Sequence, residues 1–208
     1  MSESLLQRWR ALAEEGADAL GEALIRAWGE PQRRYHNQSH LIWLLDEADR
    51  RAALVRDTKF VGYAIWFHDA VYQPGRSDNE TLSADWARTS LVAQPDLAAR
   101  VAHVIEMTKN HVAGEAEGDA EFFLDLDIAI LGAPRATYCA YAAGIRDEYP
   151  HVTDAAFAAG RGAFLANQLE GARTLRTDLY ETQRGDAARA NMRWELGEMR
   201  AGRMVVRA

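Results

Sequence analysis

Apolar residues recur at intervals of three or four positions along most of the chain. This spacing runs through 4–28, with a break near Gly16, and again through 38–55. It is the period of an amphipathic α-helix, and no segment sustains the two-residue alternation of a half-buried strand. Comparable patterns predict further helices over 60–72, 78–92, 96–110, 121–131, 135–149, 154–170 and 187–200. The sequence therefore predicts an all-α protein.

Length and composition are those of one globular domain. The chain has 208 residues, of which 48% are hydrophobic and 26% are charged, close to the averages of folded domains. These values argue against a disordered chain, a collagen or a coiled-coil fibre, and no internal repeat or low-complexity linker interrupts the sequence. We therefore expect residues 1–208 to form a single helical domain.

The net charge argues against one class of binding partner, and the cysteine content excludes two kinds of site. A formal net charge of -7 argues against long nucleic acid, whose phosphates are held by clustered Lys and Arg. A small anionic substrate is compatible with this charge where a metal ion supplies positive charge locally. Cys139 is the only cysteine, which rules out an internal disulfide and a multi-cysteine zinc site.

Signals of export and of membrane insertion are missing from the sequence. The N-terminal segment MSESLLQRWRALAEEG contains no long uncharged apolar run, and no stretch approaches the roughly 20 apolar residues of a membrane helix. We expect a cytoplasmic protein without membrane contact, which acts alone or as a homo-oligomer.

Two histidines lie four positions apart in the segment RRYHNQSH. If His36 and His40 both belong to the helix predicted from residue 38, they share one helix face. Alternatively, His36 precedes the helix and Asn37 or its neighbour caps it. Two solvent-exposed histidines with no joint role are a third interpretation.

An imidazole and a carboxylate interrupt the apolar segment 60–72. His68 and Asp69 are adjacent, and burying an unpaired carboxylate costs several kcal/mol. A metal ion compensates this well, because it favours the neutral imidazole and the ionised carboxylate together. A His–Asp pair satisfied by hydrogen bonds is the alternative.

Acidic residues also interrupt the apolar segment 121–131. Asp125 and Asp127 are two positions apart and face different sides of a helix, so at most one points at a given ion. Asp125 lies nearer the helix start, where the helix dipole stabilises a carboxylate. This favours Asp127 as a metal ligand and Asp125 as a cap or a support of the ligands.

The order of these residues resembles a known family. His40, His68-Asp69 and Asp127 resemble the H…HD…D pattern of the HD-domain superfamily of metal-dependent phosphohydrolases, and YHNQSH resembles the HNxxH segment of cyclic-nucleotide phosphodiesterases within it. The fuller set of segments is similar to a bacterial group of predicted HD-superfamily phosphohydrolases over about 30–195, namely RRYHNxxH, WFHDAVYxP, SDNExxSA, TKxH, FLDLDxAILG and ARANM. The resemblance implies an HD-type helical bundle that hydrolyses a small phosphorylated metabolite or nucleotide.

The same resemblance implies roles for individual residues. His40, His68, Asp69 and Asp127 would hold a divalent metal ion, and His36 matches the proton donor of the phosphodiesterases. Two nitrogens and two oxygens leave positions open for water, which favours Mn²⁺, Fe²⁺, Mg²⁺, Ni²⁺ or Co²⁺ over a closed tetrahedral Zn²⁺ site. A water activated by the metal would attack the phosphoryl group.

Further polar residues are weaker candidates. Asp78 and Glu80 would orient the attacking water or a ligand imidazole, or else cap the helix that begins there. Lys109 and His111 would contact phosphate, and His111 is alternatively a ligand of a second metal. Three arginines, each with a forked set of donors suited to phosphate, complete the candidate substrate-binding set: Arg34, Arg76 and Arg161.

Two other functions are compatible with an HD-type fold. A di-iron oxygenase would need additional ligands for a second metal, for which His111 and Glu80 are the obvious residues. A scaffold that binds a nucleotide without turnover would need none, although an intact set of ligands argues against a degenerate site.

Overall fold

The structure is a computed structural model that describes residues 2–109, 111, 116 and 118–204. The described residues form helices and contain no strand, so the predicted all-α fold is confirmed. The α-helices are α1 (Ser2–Leu12), α2 (Asp18–Trp28), α3 (Gln38–Arg50), α4 (Thr58–Phe67), α5 (Asn79–Ser90), α6 (Pro95–Thr108), α7 (Asp119–Ile128), α8 (Arg135–Glu148), α9 (Asp154–Glu170) and α10 (Asp186–Arg200). Short 3-10 helices cover Ala52–Leu54 and Ala129–Gly132, and a helical turn and a π-helical turn cover Asp178–Tyr180 and Glu181–Gly185.

Most element positions follow from the sequence. Gly16, with φ of 87°, lies in the turn between α1 and α2 and adopts a left-handed backbone, which glycine tolerates without strain. Thr153 caps α9 by accepting a hydrogen bond from the Ala156 N–H. The final residue of the helix predicted over 96–110, Asn110, lies outside the described residues. Within the described part of the chain, none of the helices has the length and apolar character needed to cross a membrane.

The chain divides into two compact units. The first contains the described residues of Met1–Lys109 and Ala116–Phe123, and the second contains those of Asn110–Glu115 and Leu124–Ala208. The boundary falls within α7. A single domain over the whole chain stays a prediction.

Indole rings fill the core of the first unit. The Trp9 and Trp66 rings meet edge to face with centroids 5.3 Å apart, and both side chains are buried. Helices α1 and α2 approach closely because position 21 is glycine: the Trp9 ring occupies the space that a Cβ atom would need. The Trp28 indole N–H donates to the Trp66 carbonyl at 3.0 Å, which ties α2 to the end of α4.

Helix α4 begins at a carboxylate cap. Asp57 accepts from the Phe60 N–H at 2.9 Å and from the Arg100 guanidinium at 2.8 Å. The backbone before the cap is held in turn by Asp119, whose two oxygens accept from the N–H groups of Arg56 and Asp57. Burial alone would raise the pKa of Asp57, but the hydrogen bonds from Phe60 and Arg100 hold it below its ordinary value.

We expect Asp57→Ala to lower the free energy of unfolding by about 1 kcal/mol at pH 7, since the α4 cap is lost. The folded-state pKa is lowered, so the carboxylate contributes its full stability above the unfolded-state pKa of about 4 and loses it as pH falls through the folded value. Urea unfolding at pH 7 and near pH 3 tests this: the difference from the wild type should shrink at the lower pH. Asp57→Asn keeps a capping oxygen and should be milder; equal losses in both variants would contradict the capping role.

A buried polar cluster joins α8, α9 and α10 in the second unit. Arg161 donates to both carboxylate oxygens of Glu195 at 3.0 and 3.1 Å and to the Tyr141 hydroxyl at 2.9 Å. The Tyr138 hydroxyl donates to the same carboxylate, and burial raises the pKa of Tyr138, which keeps this donor protonated. The cluster is internally hydrogen-bonded and charge-balanced, so it fixes these helices with respect to one another.

The described end of α4 corrects one sequence prediction. The pattern predicts a helix over 60–72, whereas α4 ends at Phe67 with His68 as its C-cap. Beyond the cap, the Ala70 N–H donates to the Phe67 carbonyl in a tighter turn, and the Val71 N–H donates to the Ser83 hydroxyl on α5. The tight turn at Ala70 and the contact with Ser83 on α5 replace the helical hydrogen bonds, so His68 and Asp69 lie at a helix end rather than within a helix.

Candidate metal centre

Three of the four predicted ligands lie together in the first unit. His40 comes from the first turn of α3, and His68 and Asp69 follow α4 directly. Each offers one ligand atom, and these atoms lie within 4.8 Å of one another. Among the residues that the structure describes, this is the group of His, Cys, Asp and Glu side chains close enough to share one ion.

A hydrogen bond selects the tautomer of His68. Its Nδ1 lies 2.9 Å from the Ile65 carbonyl oxygen, which can only accept, so Nδ1 carries the proton. The Nε2 lone pair is therefore directed to the opposite side of the ring, 3.4 Å from Asp69 Oδ2. The rings of Trp28 and Phe123 pack against the imidazole and leave its side chain 1% exposed. A neutral imidazole with one fixed donor nitrogen is the form that binds metal ions.

His40 is positioned by the cap of α3. Asn37 accepts from the Ser39 N–H at 2.9 Å and starts the helix, which places His40 in the first turn with its side chain buried. The Tyr35 ring lies against the imidazole, with centroids 4.8 Å apart, and the His40 and His68 rings are 5.8 Å apart.

His36 lies before the helix, beside the trio. Because Asn37 is the cap, the interpretation of His36 as a residue preceding α3 is the one that the structure shows. Its ring stacks on Tyr72 with centroids 4.4 Å apart, and its Nε2 lies 3.9 Å from Asp69 Oδ2. The side chain is 21% exposed, so it borders both the trio and the solvent.

The fourth predicted ligand belongs to the second unit. Asp127 Oδ2 lies 3.2 Å from His111 Nε2, so these two candidates are neighbours. Asp125 faces elsewhere, as the two-residue spacing predicts: its carboxylate accepts from the backbone of Arg176 and from the backbone and hydroxyl of Thr177. Burial raises the pKa of Asp125, which those hydrogen bonds oppose. The role of Asp127 as a metal ligand stays a prediction.

The remaining candidates in the first unit lie on its surface. Asp78 is predicted to cap α5, but it makes no capping hydrogen bond and instead binds Arg76 through two contacts of 2.8 and 2.7 Å. Lys109 donates to the Ser77 carbonyl at 2.7 Å, which ties it to the same loop. Glu80 occupies the first turn of α5.

Two candidate arginines have different settings. Arg34 lines a cleft of about 320 Å³ at the start of α3, together with Asn37 and Ser39. Arg161 is buried in the second unit, where its guanidinium is bound by Glu195 and Tyr141. Its position gives it a structural role in the cluster described above rather than an exposed surface for phosphate.

One residue beside the site, Arg33, is not predicted by the sequence pattern. The Arg33 side chain is fully buried and donates to the backbone carbonyls of His36, Asp69 and Ala70. The sequence signal was its place in RRYHNQSH, but its partners lie up to 37 positions away and no local pattern reveals them.

The donor set fits a divalent ion. It combines two imidazoles, one with its tautomer fixed, and one carboxylate at the end of an otherwise apolar helix. No family model, curated protein or solved structure matches the chain in the comparisons. The assignment to the HD superfamily is therefore a proposal, based on the residues above.

Proposed function

We propose that the protein is a metal-dependent phosphohydrolase of the HD type, acting on a small phosphorylated metabolite or nucleotide. The observation that carries the proposal is the convergence of His40, His68 and Asp69, with His36 beside them. The order of these residues along the chain agrees with the motif order that suggested the family.

The residues divide into those that hold a cation and those that act on substrate. His40, His68 and Asp69 would hold the divalent ion. When bound, the ion supplies Lewis acidity and positive charge for phosphoryl transfer. Asp69 brings the negative charge that a bound cation needs in this largely apolar surrounding.

His36 supplies the proton for the leaving group. Hydrolysis forms a bond between a water oxygen and phosphorus and breaks the bond to the leaving oxygen, which then takes up a proton. The His36 imidazole is next to Asp69 and partly exposed, so it can reach an oxygen of a substrate bound at the trio. Tyr72 stacks on this ring and restricts its orientation.

A metal-titrated activity screen tests the proposal. Protein freed of metal is reloaded with Mn²⁺, Co²⁺, Ni²⁺, Fe²⁺, Mg²⁺ or Zn²⁺ and assayed with p-nitrophenyl phosphate, bis(p-nitrophenyl) phosphate, nucleoside monophosphates and 2′,3′-cyclic nucleotides. We expect phosphate-ester cleavage with at least one ion and none in excess chelator. Absence of turnover with every ion and substrate would contradict the proposal, and nucleotide binding without product would favour a scaffold.

We expect His36→Ala to lower kcat by about 100- to 10,000-fold while the protein keeps its metal, because a general acid is removed but no ligand. Metal content by elemental analysis and kcat on the best substrate measure the two effects. His103→Ala removes an exposed histidine from α6 and should change neither. Loss of metal in His36→Ala would instead make His36 a ligand.

A further inference from the structure

Arg33 joins the two chain segments that build the candidate metal centre. Its Nη1 donates to the Asp69 carbonyl at 2.7 Å and to the His36 carbonyl at 3.1 Å, and its Nη2 donates to the Ala70 carbonyl at 3.2 Å. One nitrogen atom thus holds the backbone of a proposed ligand and the backbone of the proposed proton donor.

These hydrogen bonds satisfy backbone carbonyls that follow the end of α4. The helix stops at Phe67, and the carbonyls of Asp69 and Ala70 lie beyond the regular helical hydrogen bonds. Arg33 donates hydrogen bonds to both carbonyls, although it lies 36 and 37 positions earlier in the sequence. The direction in which the Asp69 side chain leaves the backbone therefore depends on Arg33.

Two aromatic rings and a carboxylate also contact the guanidinium. It lies between the rings of Trp28 and Tyr72, with its central carbon 5.5 and 5.4 Å from their centroids, and its Nε donates to Glu30 at 3.1 Å. The same rings contact the site: Trp28 packs on His68, and Tyr72 stacks on His36. A lysine carries the charge but not the planar fork that serves these acceptors together.

We infer that Arg33 is a positioning residue, which sets the orientation of Asp69 toward the metal and of His36 toward the substrate. This inference rests on the proposed function. It predicts that the geometry of the guanidinium matters to metal affinity, beyond its contribution to folding.

The substitution Arg33→Lys tests it, with Mn²⁺ as the probe. We expect the dissociation constant for Mn²⁺, measured by titration calorimetry, to rise about 10-fold or more, as loss of a residue that orients metal ligands typically causes. The matched control is Arg146→Lys, which removes a similar clamp in the second unit: Arg146 donates to the Tyr149 and Val152 carbonyls and packs on Phe157. Arg146→Lys should lower the Tm about as much as Arg33→Lys does, but it should leave the affinity for Mn²⁺ unchanged.

The outcomes separate this inference from the proposed function. If the wild type binds Mn²⁺ and Arg33→Lys binds it equally well at reduced Tm, Arg33 is only structural and the inference is wrong. If Arg33→Lys does not fold, Glu30→Ala decides: it removes the acceptor of Nε from a half-exposed position and should raise the dissociation constant about 2- to 5-fold, and an unchanged value would overturn the inference. Failure of the wild type to bind Mn²⁺ refutes the metal centre itself, whereas binding without hydrolysis refutes only the proposed activity.

Discussion

Replacing Asp69 by alanine is expected to abolish binding of divalent metal at micromolar concentrations and, with it, phosphate-ester hydrolysis. Asp69 is the only carboxylate in the group of His40, His68 and Asp69, so its loss leaves two neutral imidazoles and no negative charge to offset the ion. The loss of affinity should exceed the roughly 10- to 100-fold caused by removing a residue that merely supports a ligand.

The helical fold should survive this substitution. Arg33 binds the main-chain carbonyl of Asp69, which alanine retains. Circular dichroism and Mn²⁺ titration on the same preparation measure the two properties separately. Asp85→Ala, which removes an exposed acid from α5, serves as the control and should bind Mn²⁺ as the wild type does. Full metal content in Asp69→Ala would show that the ligand assignment is wrong.

The largest expected loss of stability comes from Glu195→Ala. The side chains of Arg161 and Glu195 are 7% and 4% exposed, so the substitution leaves a buried guanidinium without its carboxylate and the Tyr138 hydroxyl without its acceptor. We expect the free energy of unfolding, from urea denaturation, to fall by about 3–5 kcal/mol.

Two further variants test the reason for this loss. The double variant Arg161→Met, Glu195→Leu removes both charges and should recover much of the stability, because no unpaired charge stays buried. Glu198→Ala breaks a surface ion pair with Arg203 and should lower the free energy of unfolding far less than Glu195→Ala does. A loss below 1 kcal/mol in Glu195→Ala itself would contradict the structural role of the cluster.

Local patterns in the sequence were sufficient to predict the helices and several of the positions at which they begin or break. The apolar period predicts α9 and the start of α3, which ends at Arg50 rather than at residue 55, and the glycine at position 16 predicts the break between α1 and α2. These features depend on residues within one or two helical turns of each other, which is the range that periodicity and capping rules cover.

Long-range contacts decided the features that the sequence did not predict. The end of α4 at Phe67 depends on Arg33 and on Ser83, each of which lies more than a helical turn away in sequence. Asp78 resembles a cap from its position, but the neighbouring guanidinium of Arg76 competes for its carboxylate.

The sequence predicted the ligand residues of the candidate site but not the contacts that hold them in place. An imidazole and an acid in an apolar segment indicated His68 and Asp69, and the structure brings His40 to them. Whether His36 belongs to the helix could not be decided from spacing alone, since both arrangements fit four-residue separation; the Asn37 cap decides it. The buried clamp of Arg33 depends wholly on the tertiary fold.

Anomalous diffraction from crystals soaked in Mn²⁺ tests the central claim most directly, because it locates the ion without any assumption about substrate. We predict one strong peak at the manganese edge within bonding distance of the imidazole nitrogens of His40 and His68 and of the Asp69 carboxylate. Bound manganese elsewhere, with no peak at these three side chains, would contradict the metal centre and the hydrolase proposed from it.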